Sequence, residues 1–581
     1  MRISNPLGRI VAAGLALVGA STALAACSLA DAANTPPQPK KGGTLFVNMA
    51  GGIDKLDPQR TYNAADMNVL RLTTRTLTTY TASPGSSTGD ILPDLATDTG
   101  RPSENNTVWT FTIKPGVKWE GGEPVLCSQI KYGIERNFAS ILEAPVPYPA
   151  DYLAPNAKKY EGPYVGDNNG GKGLESIVCP DEHNIVFHLS KPRGDFNYSL
   201  AMATFAPVLP EKDTHDKYTN HPYSNGPYKL AGDITDKGVT LVRNGFWTEQ
   251  NDQVRKAYPD KIVIDFRPDD NGVVTNQVLD DQGDARNTIM LDANVKENFL
   301  QQVVNDSDLV KRTITGPNGG VRYLAINTRV VPNIECRKAL IYAFDKRKYR
   351  SAAGGSAIGL YATAIIPPGL HGHRNFDLFD TLSNPEGQPD RAAAIIKQQA
   401  DAKTPCPSVI KVAFQDRYKR QMTTMVDSFA LAGIQIQLVP LPPRTYYSTG
   451  IGDWTSNDYA MVLAGWIPDW PSGSAVLPAL FAGSSISPIN PATGHTSGNV
   501  NFSMLNDNGI NSQLQTAEVE ANPDRQTALW GDLDQQIQAK AVTVPLLFEN
   551  AIRLAGSNVL GGFISPAFGM PDLCALGLAQ P

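Results

Sequence analysis

The sequence VIKVAFQDRYKRQMTTMVDSFALAGIQIQLV, residues 409–439, decides the fold. Residues 409–414 and 434–439 have the apolar content of strands, and residues 418–432 between them have helical spacing. Gly433 ends this helix at the position where a left-handed residue is favoured. A strand, a helix and a strand within about 30 residues form a βαβ unit, which predicts a parallel sheet.

A further apolar run follows this unit and ends in a turn. Residues 458–466 (DYAMVLAGW) have the length of a strand, and Ile467-Pro468-Asp469-Trp470-Pro471 leaves their carboxyl end. In open α/β sheets, ligands bind outside the carboxyl ends of the strands. The pattern therefore indicates this turn as a candidate binding site.

The rest of the chain also reads as mixed α/β in more than one lobe. Residues 336–349 predict one helix closed by Lys346-Arg347-Lys348, because cations suit the negative end of the helix dipole. Residues 128–138 predict another helix. Strand patterns recur at residues 44–49, 109–113, 185–189, 262–266 and 322–327.

Composition excludes two classes of protein. The 581 residues contain 51 Lys+Arg and 57 Asp+Glu, a formal net charge of −6, and no basic run is longer than three residues. Nucleic acid is therefore not an expected partner, since a phosphate backbone requires a basic surface. The hydrophobic fraction of 41% is typical of a folded globular protein and argues against a disordered chain.

The first residues have the layout of a secretory signal. Arg2 and Arg9 precede a short apolar stretch and a zone of small residues that ends at Cys27. We expect residues 1–26 to be a signal peptide, since the apolar stretch is shorter than the roughly 20 residues that span a bilayer. Residues 27–41 are small, polar and Pro-rich, as in a flexible tether. The folded part of the protein, which follows the tether, is therefore expected outside the cytoplasm.

Leu24-Ala25-Ala26-Cys27 resembles the lipobox of bacterial lipoproteins. This resemblance implies that Cys27 carries a lipid and anchors the protein to the outer face of the cell membrane. Two acyl chains on one residue suffice for stable attachment. The alternative is a secreted protein in which Cys27 is incidental.

The remaining cysteines are predicted to be structural. If Cys27 is lipidated, five remain, and an oxidising exterior favours two disulfides among them. Cys127 with Cys179 and Cys336 with Cys406 are nearest in sequence, but spacing alone leaves the connectivity and the state of Cys574 open. No spacing of the zinc type occurs, so neither a metal nor a cofactor is expected.

A set of ordered motifs resembles the peptide/nickel class of ABC-transporter solute-binding proteins, family 5. The motifs cover nearly all of the mature chain, and the ordered set is specific although each motif alone is weak. They include Lys41-Gly42-Gly43-Thr44-Leu45, WTFTIKPGVKWEGGEP at residues 109–124, Asn225-Gly226-Pro227-Tyr228-Lys229-Leu230 and Gly465-Trp466-Ile467-Pro468-Asp469.

The resemblance implies a two-lobed clamp like the class II periplasmic binding proteins, with a subdivided first lobe. It implies capture of a ligand by hinge closure and delivery to a membrane permease driven by a cytoplasmic ATPase. We expect a monomer. The expected main subdomain of lobe I is residues 42–85, 200–318 and 543–581, its extra subdomain is residues 86–199, and lobe II is residues 319–542.

The resemblance also implies the ligand site. In peptide-binding members an Asp shortly after a Gly-Trp pair receives the ligand's α-ammonium group, and the matching residue is Asp469. Trp466 and Trp470 would form walls, and Gly465 would offer backbone groups to an extended peptide. The chain departs from many relatives after Asp469, where it reads Trp470-Pro471-Ser472-Gly473, which leaves ligand length and end recognition open.

Two other functions compete with peptide capture. A secreted hydrolase lacks a visible motif, and Gly316-Pro317-Asn318-Gly319-Gly320 is better interpreted as a turn than as a phosphate loop. A carrier of nickel or a metallophore would share the fold, and only His371-Gly372-His373 brings two histidines close. A lipoprotein that captures short peptides for an ABC importer is the function that the sequence favours.

Overall fold

The computed structural model of the protein describes residues 37–85, 89–153, 159–166, 168–267 and 271–581. The expected signal peptide and Cys27 lie outside these residues. Within the described ranges, no helix is both long enough and apolar enough to cross a membrane. The body begins slightly earlier than expected, because the backbone N–H of Lys40 donates to Leu578 O at 2.8 Å. Lys40 and Lys41 therefore belong to the body and not to the tether.

Short strands and helices alternate along most of the described chain. The strands are β1 Thr44–Met49, β2 Thr78–Tyr80, β3 Ile91–Pro93, β4 Arg101–Ser103, β5 Val108–Thr112, β6 Ile177–Val178, β7 Asn184–His188, β8 Tyr228–Leu230, β9 Gly238–Arg243, β10 Lys261–Phe266, β11 Thr288–Met290, β12 Thr313–Ile326, β13 Gly359–Tyr361, β14 Val409–Gln415, β15 Gln435–Leu441, β16 Met461–Trp466, β17 Thr543–Leu554, β18 Val559–Leu560, β19 Ile564–Ser565, β20 Met570–Pro571 and β21 Gly577–Leu578. The α-helices are α1 Ala64–Thr73, α2 Cys127–Glu135, α3 Tyr148–Tyr152, α4 Phe196–Ser199, α5 Asn271–Asp280, α6 Glu297–Asn305, α7 Ser307–Lys311, α8 Ile334–Ala343, α9 Lys346–Ala353, α10 Pro389–Asp401, α11 Lys419–Leu431, α12 Leu477–Phe481, α13 Asn508–Val519 and α14 Pro523–Ala539.

The first lobe is built on a five-stranded sheet in the order β11-β1-β10-β9-β8. β1 lies between β10 and β11 and is parallel to both, whereas β9 is antiparallel to its neighbours. Leu45, Val47 and Met49 on β1 are fully buried, as their alternation predicts. Helix α1 begins where the side chain of Asn63 accepts a hydrogen bond from the N–H of Ala65.

A four-stranded antiparallel sheet forms a separate part of the first lobe. Its order is β4-β5-β7-β6, and Trp109 and Phe111 on β5 lie in its core. A disulfide joins Cys127, the first residue of α2, to Cys179, which follows β6. This sheet occupies the range that was expected to form the extra subdomain.

The second lobe is built on a six-stranded mixed sheet in the order β13-β17-β12-β16-β14-β15. The predicted βαβ unit is present, since β14 and β15 are parallel and α11 connects them. Gly433 adopts the left-handed conformation with φ of 76°, as predicted. β14 also pairs in parallel with β16, so the strand that precedes Asp469 lies beside this unit.

Odd-numbered and even-numbered residues of β12 lie on opposite faces of this sheet, and both faces are buried. Val321, Tyr323 and Ala325 belong to one apolar core, which also contains Trp530. Leu324 and Ile326 belong to the core on the opposite face. The sheet is therefore covered on both sides, as expected for an α/β layer.

Two long antiparallel strands pass between the lobes. β12 has 14 residues and β17 has 12, and their pairing is interrupted by a register shift between Pro317 and Val321. Beyond this shift, Arg553 Nε donates to Leu291 O in the first lobe at 2.6 Å. The interpretation of residues 316–320 as a turn was therefore wrong, because they lie within an irregular strand.

The expected lobe boundary at residue 543 also differs from the structure. Val544 and Leu547 on β17 pair with β12, and Leu547 and Phe548 pair with β13. Residues 543–548 thus belong to the sheet of the second lobe, because their partner strand enters that sheet after residue 320. Only the later part of β17 reaches the first lobe.

The single helix predicted for residues 336–349 is two helices in the structure. α8 ends at Ala343, and α9 begins at Lys346 with Asp345 accepting the N–H of Lys348 at 2.7 Å. Lys346 is buried, and its Nζ donates to Ala362 O at 2.7 Å and to Thr381 Oγ1 at 2.9 Å. The basic triplet therefore opens a helix, and the prediction that it closes one was wrong.

A second disulfide joins Cys336 on α8 to Cys406, which lies before β14. Cys574 is a buried free thiol. Both bonds link residues that are the nearest cysteines in the sequence.

Candidate functional site

The turn after β16 places Asp469 between the two lobes. β16 ends at Trp466, and the backbone then runs along residues 467–471, called here the Asp469 turn. Two backbone hydrogen bonds with His371 stabilise this turn. The N–H of His371 donates to Pro471 O at 3.1 Å, and the N–H of Gly473 donates to His371 O at 2.8 Å. The site thus lies at the carboxyl end of a strand, where the sequence placed it.

Two phenols of the first lobe meet the Asp469 carboxylate. The hydroxyl of Tyr62, just before α1, donates to Oδ1 at 2.8 Å, and the hydroxyl of Tyr148, at the start of α3, donates to Oδ2. Both carboxylate oxygens therefore accept a hydrogen bond from the opposite lobe. Bonds to a charged acceptor are about twice as strong as neutral ones, so this carboxylate links the lobes.

The Asp469 carboxylate is half-buried, and its hydrogen-bond partners are neutral phenols. Burial raises the pKa of its carboxyl group, and the hydrogen bonds from Tyr148 and Tyr62 oppose that rise. Burial and the Asp469 charge raise the pKa of both phenols, so they stay protonated donors. Among the described residues, no lysine, arginine or histidine contributes to the Asp469 shift.

The two tryptophans beside Asp469 have different surroundings. Trp466 is half-buried and its Nε1 donates to Ala475 O at 2.8 Å. Trp470 is 3% exposed, its Nε1 donates to Ser474 Oγ at 2.8 Å, and its ring meets the edge of Tyr148 at 5.2 Å between centroids. Trp470 thus packs between the lobes, while Trp466 lies closer to the surface of the cleft.

Gly465 lies on β16 beyond the part of this strand that pairs with β14. That pairing ends at Val462, and beyond it the hydroxyl of Tyr446 donates to Leu463 O at 2.7 Å and the hydroxyl of Tyr447 contacts the backbone of Gly465. On the other side Gly465 pairs with Arg322, and a Cβ at Gly465 would lie 2.5 Å from Arg322 Nη1. A side chain would therefore displace Arg322 from its ion pair with Glu549, whose Oε1 lies 3.0 Å from Arg322 Nε.

A small cavity opens beside the Asp469 carboxylate. Its walls come mainly from the first lobe, from α1, from Tyr80, and from the segments that contain Ala203 and Phe568. About 30 Å³ of it is open to the centre of a water molecule.

Further contacts join the lobes around this site. The N–H of Gly194 donates to Glu518 O at 2.9 Å, and the side-chain amide of Asn106 donates to Val519 O at 2.7 Å. Arg193 forms an ion pair with Glu518 at 3.3 Å. The part of the first lobe with the four-stranded sheet therefore rests directly on the end of α13.

The two histidines of the HGH motif have separate partners. His371 Nε2 lies 3.1 Å from Asp90 Oδ1 across the lobe interface, and His373 Nδ1 lies 2.7 Å from Ile366 O. Within the described ranges, no group of three or more His, Cys, Asp or Glu residues is placed to hold a metal ion. His371 of the motif thus lies in the lobe interface, whereas His373 contacts the backbone of its own lobe.

Sequence reasoning predicted Asp469 as a site residue and did not indicate Tyr62 or Tyr148, which contact it. The two tyrosines lie 407 and 321 residues away from Asp469 in the chain. Neither belongs to a repeated or periodic pattern, so only the fold brings them to the carboxylate.

The chain was compared with known families and proteins. The family model described as "Bacterial extracellular solute-binding proteins, family 5 Middle" matches residues 90–488. The chain is 24% identical over 342 residues to the oligopeptide-binding protein OppA of Bacillus subtilis (strain 168), and the alignment covers 57% of each protein. It is 24% identical over 266 residues to the periplasmic murein peptide-binding protein MppA of Escherichia coli (strain K12), covering 45% of this chain and 46% of MppA. The chain thus spans about half the length of these two curated relatives.

Solved structures give matches over almost the whole chain. The clavulanic acid biosynthesis oligopeptide binding protein 2 is 28% identical with a TM-score of 0.83, covering 94% of this chain and 97% of that one. The unliganded open form of the murein tripeptide binding protein MppA is 18% identical with a TM-score of 0.74, covering 93% and 98%. The two-lobed clamp is therefore the fold of the chain.

Proposed function

The chain belongs to the bacterial extracellular solute-binding proteins of family 5, and from this premise we propose that it captures short peptides between its two lobes. Capture takes place outside the cytoplasm, and the bound peptide is delivered to a membrane permease that a cytoplasmic ATPase drives. The names of the relatives support a peptide ligand, since OppA and the clavulanic acid protein are both described as binding oligopeptides.

The observation that carries the proposal is the Asp469 carboxylate without a cationic partner. A buried carboxylate costs free energy unless it is paired, and two phenols only partly compensate that cost. The α-ammonium group of a peptide supplies three donors and a full positive charge. Charge-assisted hydrogen bonds to it would each contribute about 1.5 to 3 kcal/mol.

The backbone of β16 supplies the second part of the proposed site. An extended peptide pairs with the edge of β16 at Gly465, in place of the Tyr447 hydroxyl, through main-chain hydrogen bonds that do not depend on the peptide's side chains. Trp466 and Trp470 then border the peptide on the side of the second lobe. This arrangement predicts a ligand that is recognised by its amino end and its backbone together.

Membrane attachment is part of the same proposal. A lipid on Cys27 would hold the protein on the outer face of the cell membrane, with the remaining residues up to Lys40 as a tether. This position keeps the clamp close to its permease. The protein acts as a monomer.

Calorimetric titration with free peptides of two to six residues tests the ligand class. We expect saturable heat with at least one length in this series. Absence of binding to every length, together with tight binding of a sugar or a metal chelate, would contradict the proposal.

The substitution Asp469→Asn tests the role of the carboxylate. It keeps the size of the side chain and removes the charge, so we expect affinity for a free peptide to fall by about 10- to 100-fold. The affinity for the same peptide with an acetylated amino end should change little, because that ligand carries no ammonium group. Isothermal titration with both ligands measures the two effects.

Asp458→Asn is the matched control for this substitution. Asp458 lies just before β16, is largely exposed and pairs with Lys411 at 2.7 Å, away from the cleft. It should leave both affinities unchanged. Equal losses of affinity for the free and the acetylated peptide in Asp469→Asn would show that the carboxylate does not bind the ligand's amino end.

A further inference from the structure

Residues 193–195, called here the 193–195 segment, lie between β7 and α4 in the first lobe and face the second lobe. The backbone N–H of Gly194 donates to Glu518 O at 2.9 Å, and Arg193 Nη1 lies 3.3 Å from Glu518 Oε1. None of these atoms belongs to the proposed peptide site. They therefore hold the lobes together through contacts that need no ligand.

Contacts within the first lobe fix the conformation of this segment. The N–H of Arg193 donates to Asn106 O and the indole N–H of Trp109 donates to Arg193 O, both at 3.1 Å. The Arg193 guanidinium also lies over the ring of Tyr152, 4.6 Å from its centroid. Because the segment is already ordered by its own lobe, little conformational entropy is lost when it meets the second lobe.

Gly194 meets the second lobe with its backbone. A Cβ at this position would lie 1.8 Å from Glu520 O and 3.1 Å from Gln526 Nε2. The three atoms nearest to this Cβ position all belong to the second lobe, and Gly194 does not have the positive φ that favours glycine. An alanine at this position is therefore compatible with the first lobe and obstructs its contact with the second lobe.

Asp195 is buried by the same contact. The residue is 3% exposed, and its carboxylate contacts Ser474 and Trp470 of the second lobe. Among the described residues, its Oδ2 has no hydrogen-bond partner. Burial raises the pKa of this carboxyl group, and Arg193, Ser474 and Trp470 oppose that rise only in part. The ionised carboxylate thus loses hydration that its partners do not fully replace.

The charge of Asp195 also acts on the opposite side of the contact. Burial raises the pKa of the Glu518 carboxyl group, Arg193 opposes that rise, and the Asp195 charge adds to it. Asp195 precedes α4, but its side chain accepts no capping hydrogen bond from this helix. An asparagine at this position would therefore remove the charge without removing a helix cap.

We propose that the 193–195 segment is a latch with two opposing parts, in which Arg193 and Gly194 hold the lobes together without a ligand and the buried charge of Asp195 opposes that contact. The latch alone does not close the lobes, and a bound peptide shifts the equilibrium to the closed form. This inference rests on the proposed capture of a peptide between the lobes. It adds a device that sets the affinity for every peptide that closes them, because apparent affinity follows the fraction of protein in the binding-competent form.

The substitution Gly194→Ala tests the part that holds the lobes together. We expect the affinity for a free peptide to fall at least about tenfold, because a Cβ and Glu520 O cannot both keep their positions in the closed form. Gly232→Ala is the matched control, since a Cβ at Gly232 would have no atom within 4 Å. Isothermal titration with two free peptides of different length, taken from the series of two to six residues, measures the effect. Unchanged affinity in Gly194→Ala would overturn the inference.

The substitution Asp195→Asn tests the part that opposes the contact. It should raise the affinity for the same free peptides at least about threefold, because the closed form no longer buries a charge. Asp216→Asn, at an exposed position of the same lobe, should leave the affinity unchanged. A buried residue with only a structural role would weaken binding when it is replaced. An unchanged or lower affinity in Asp195→Asn would therefore overturn the inference, and this variant decides alone if Gly194→Ala does not fold.

The two levels of the account fail differently in this experiment. If no free peptide binds the wild-type protein, the proposed function fails and the inference fails with it. If peptides bind and the two substitutions do not shift the affinity in opposite directions, the peptide function stands and the latch is wrong. The two peptides should change by the same factor in each variant, because the latch touches no ligand atom. Factors that differ more than threefold between the peptides would also overturn the latch.

Discussion

At the scale of single residues, the candidate site is one carboxylate of the second lobe that accepts two hydrogen bonds from the first lobe. Tyr62 is 48% exposed and Tyr148 is half-buried, yet both donate to Asp469. Their hydrogen bonds lower the pKa of Asp469 against the rise that burial causes. The phenols therefore help to keep the carboxylate in the ionised form that an ammonium group requires.

The substitution Tyr148→Phe should change the pH dependence of peptide binding. Binding of an ammonium needs ionised Asp469, so affinity is present above the pKa of this carboxyl group and is lost as the pH falls through it. Removing the Tyr148 hydroxyl removes a bond that lowers this pKa, so the loss of affinity should begin at a higher pH. Titration of a free peptide between pH 4 and pH 8 measures the shift.

Tyr223→Phe is the control for this prediction. Tyr223 also donates to a carboxylate, Glu123 Oε1 at 3.3 Å, but it lies away from the Asp469 turn. The pH at which peptide affinity is lost on acidification should be unchanged in this variant. An unchanged pH of this loss in Tyr148→Phe would show that the hydroxyl has no effect on the ionisation of Asp469.

The sequence predicted Asp469 as a site residue and could not indicate its partners. The strand pattern indicated the turn at residues 467–471, because ligands bind at the carboxyl ends of strands, and the family resemblance pointed to Asp469 within that turn. Tyr62 and Tyr148 reach it through the docking of two lobes. Their contacts with Asp469 join segments that are distant in the sequence, and local periodicity does not predict such contacts.

At the scale of elements, the sequence predicted the structure correctly where the buried residues follow the periodicity of a helix or a strand. The βαβ unit around α11 was predicted because its strands, its helix and Gly433 all agree with one structure. The break between α8 and α9 was missed, because it depends on Asp345 capping a helix and on a buried site for Lys346. Gly-rich residues 316–320 were misread for a similar reason, since Gly316 and Pro317 pair with distant β17 and residues 318–320 form an irregular break within the same strand.

The disulfide between Cys127 and Cys179 should stabilise the four-stranded sheet. It closes a loop across a sequence separation of 52 residues, which corresponds to about 4 kcal/mol in the chain-entropy model. The double variant Cys127→Ala and Cys179→Ala should therefore lower the free energy of unfolding of this part by up to that amount. Hydrogen exchange of β5 and β7 as a function of urea measures it locally.

The corresponding variant at Cys336 and Cys406 is the matched control, with a sequence separation of 70 residues. It should raise exchange near α8 and β14 and leave β5 and β7 protected. Unchanged protection of β5 and β7 in the first variant would contradict the stabilising role of the Cys127–Cys179 bond.

At the scale of the whole molecule, the two lobes are joined by β12 and β17 and meet again at Asp469. The register shift between Pro317 and Val321 lies where β12 leaves the second sheet, so we infer that bending occurs there. Closure brings Tyr62 and Tyr148 to the carboxylate from one lobe and the Asp469 turn from the other. We therefore propose that the ammonium site is complete only when the lobes are closed.

This geometry couples ligand chemistry to the position of the lobes. A ligand shifts the equilibrium toward closure only by the difference between its affinities for the closed and open forms. We expect an amino end to contribute to that difference, because the Asp469 carboxylate of one lobe contacts Tyr62 and Tyr148 of the other. An acetylated peptide would keep its backbone contacts and lose this contribution.

Small-angle X-ray scattering of the wild-type protein with free and with acetylated peptide tests this coupling most directly. At a concentration that saturates the free peptide, we expect the free form to reduce the radius of gyration and the acetylated form to leave it unchanged. Asp469→Asn should show no reduction with the free peptide at that concentration. A reduction of equal size with both peptides, or in Asp469→Asn, would contradict the claim that Asp469 reads the ligand's amino end as the lobes close.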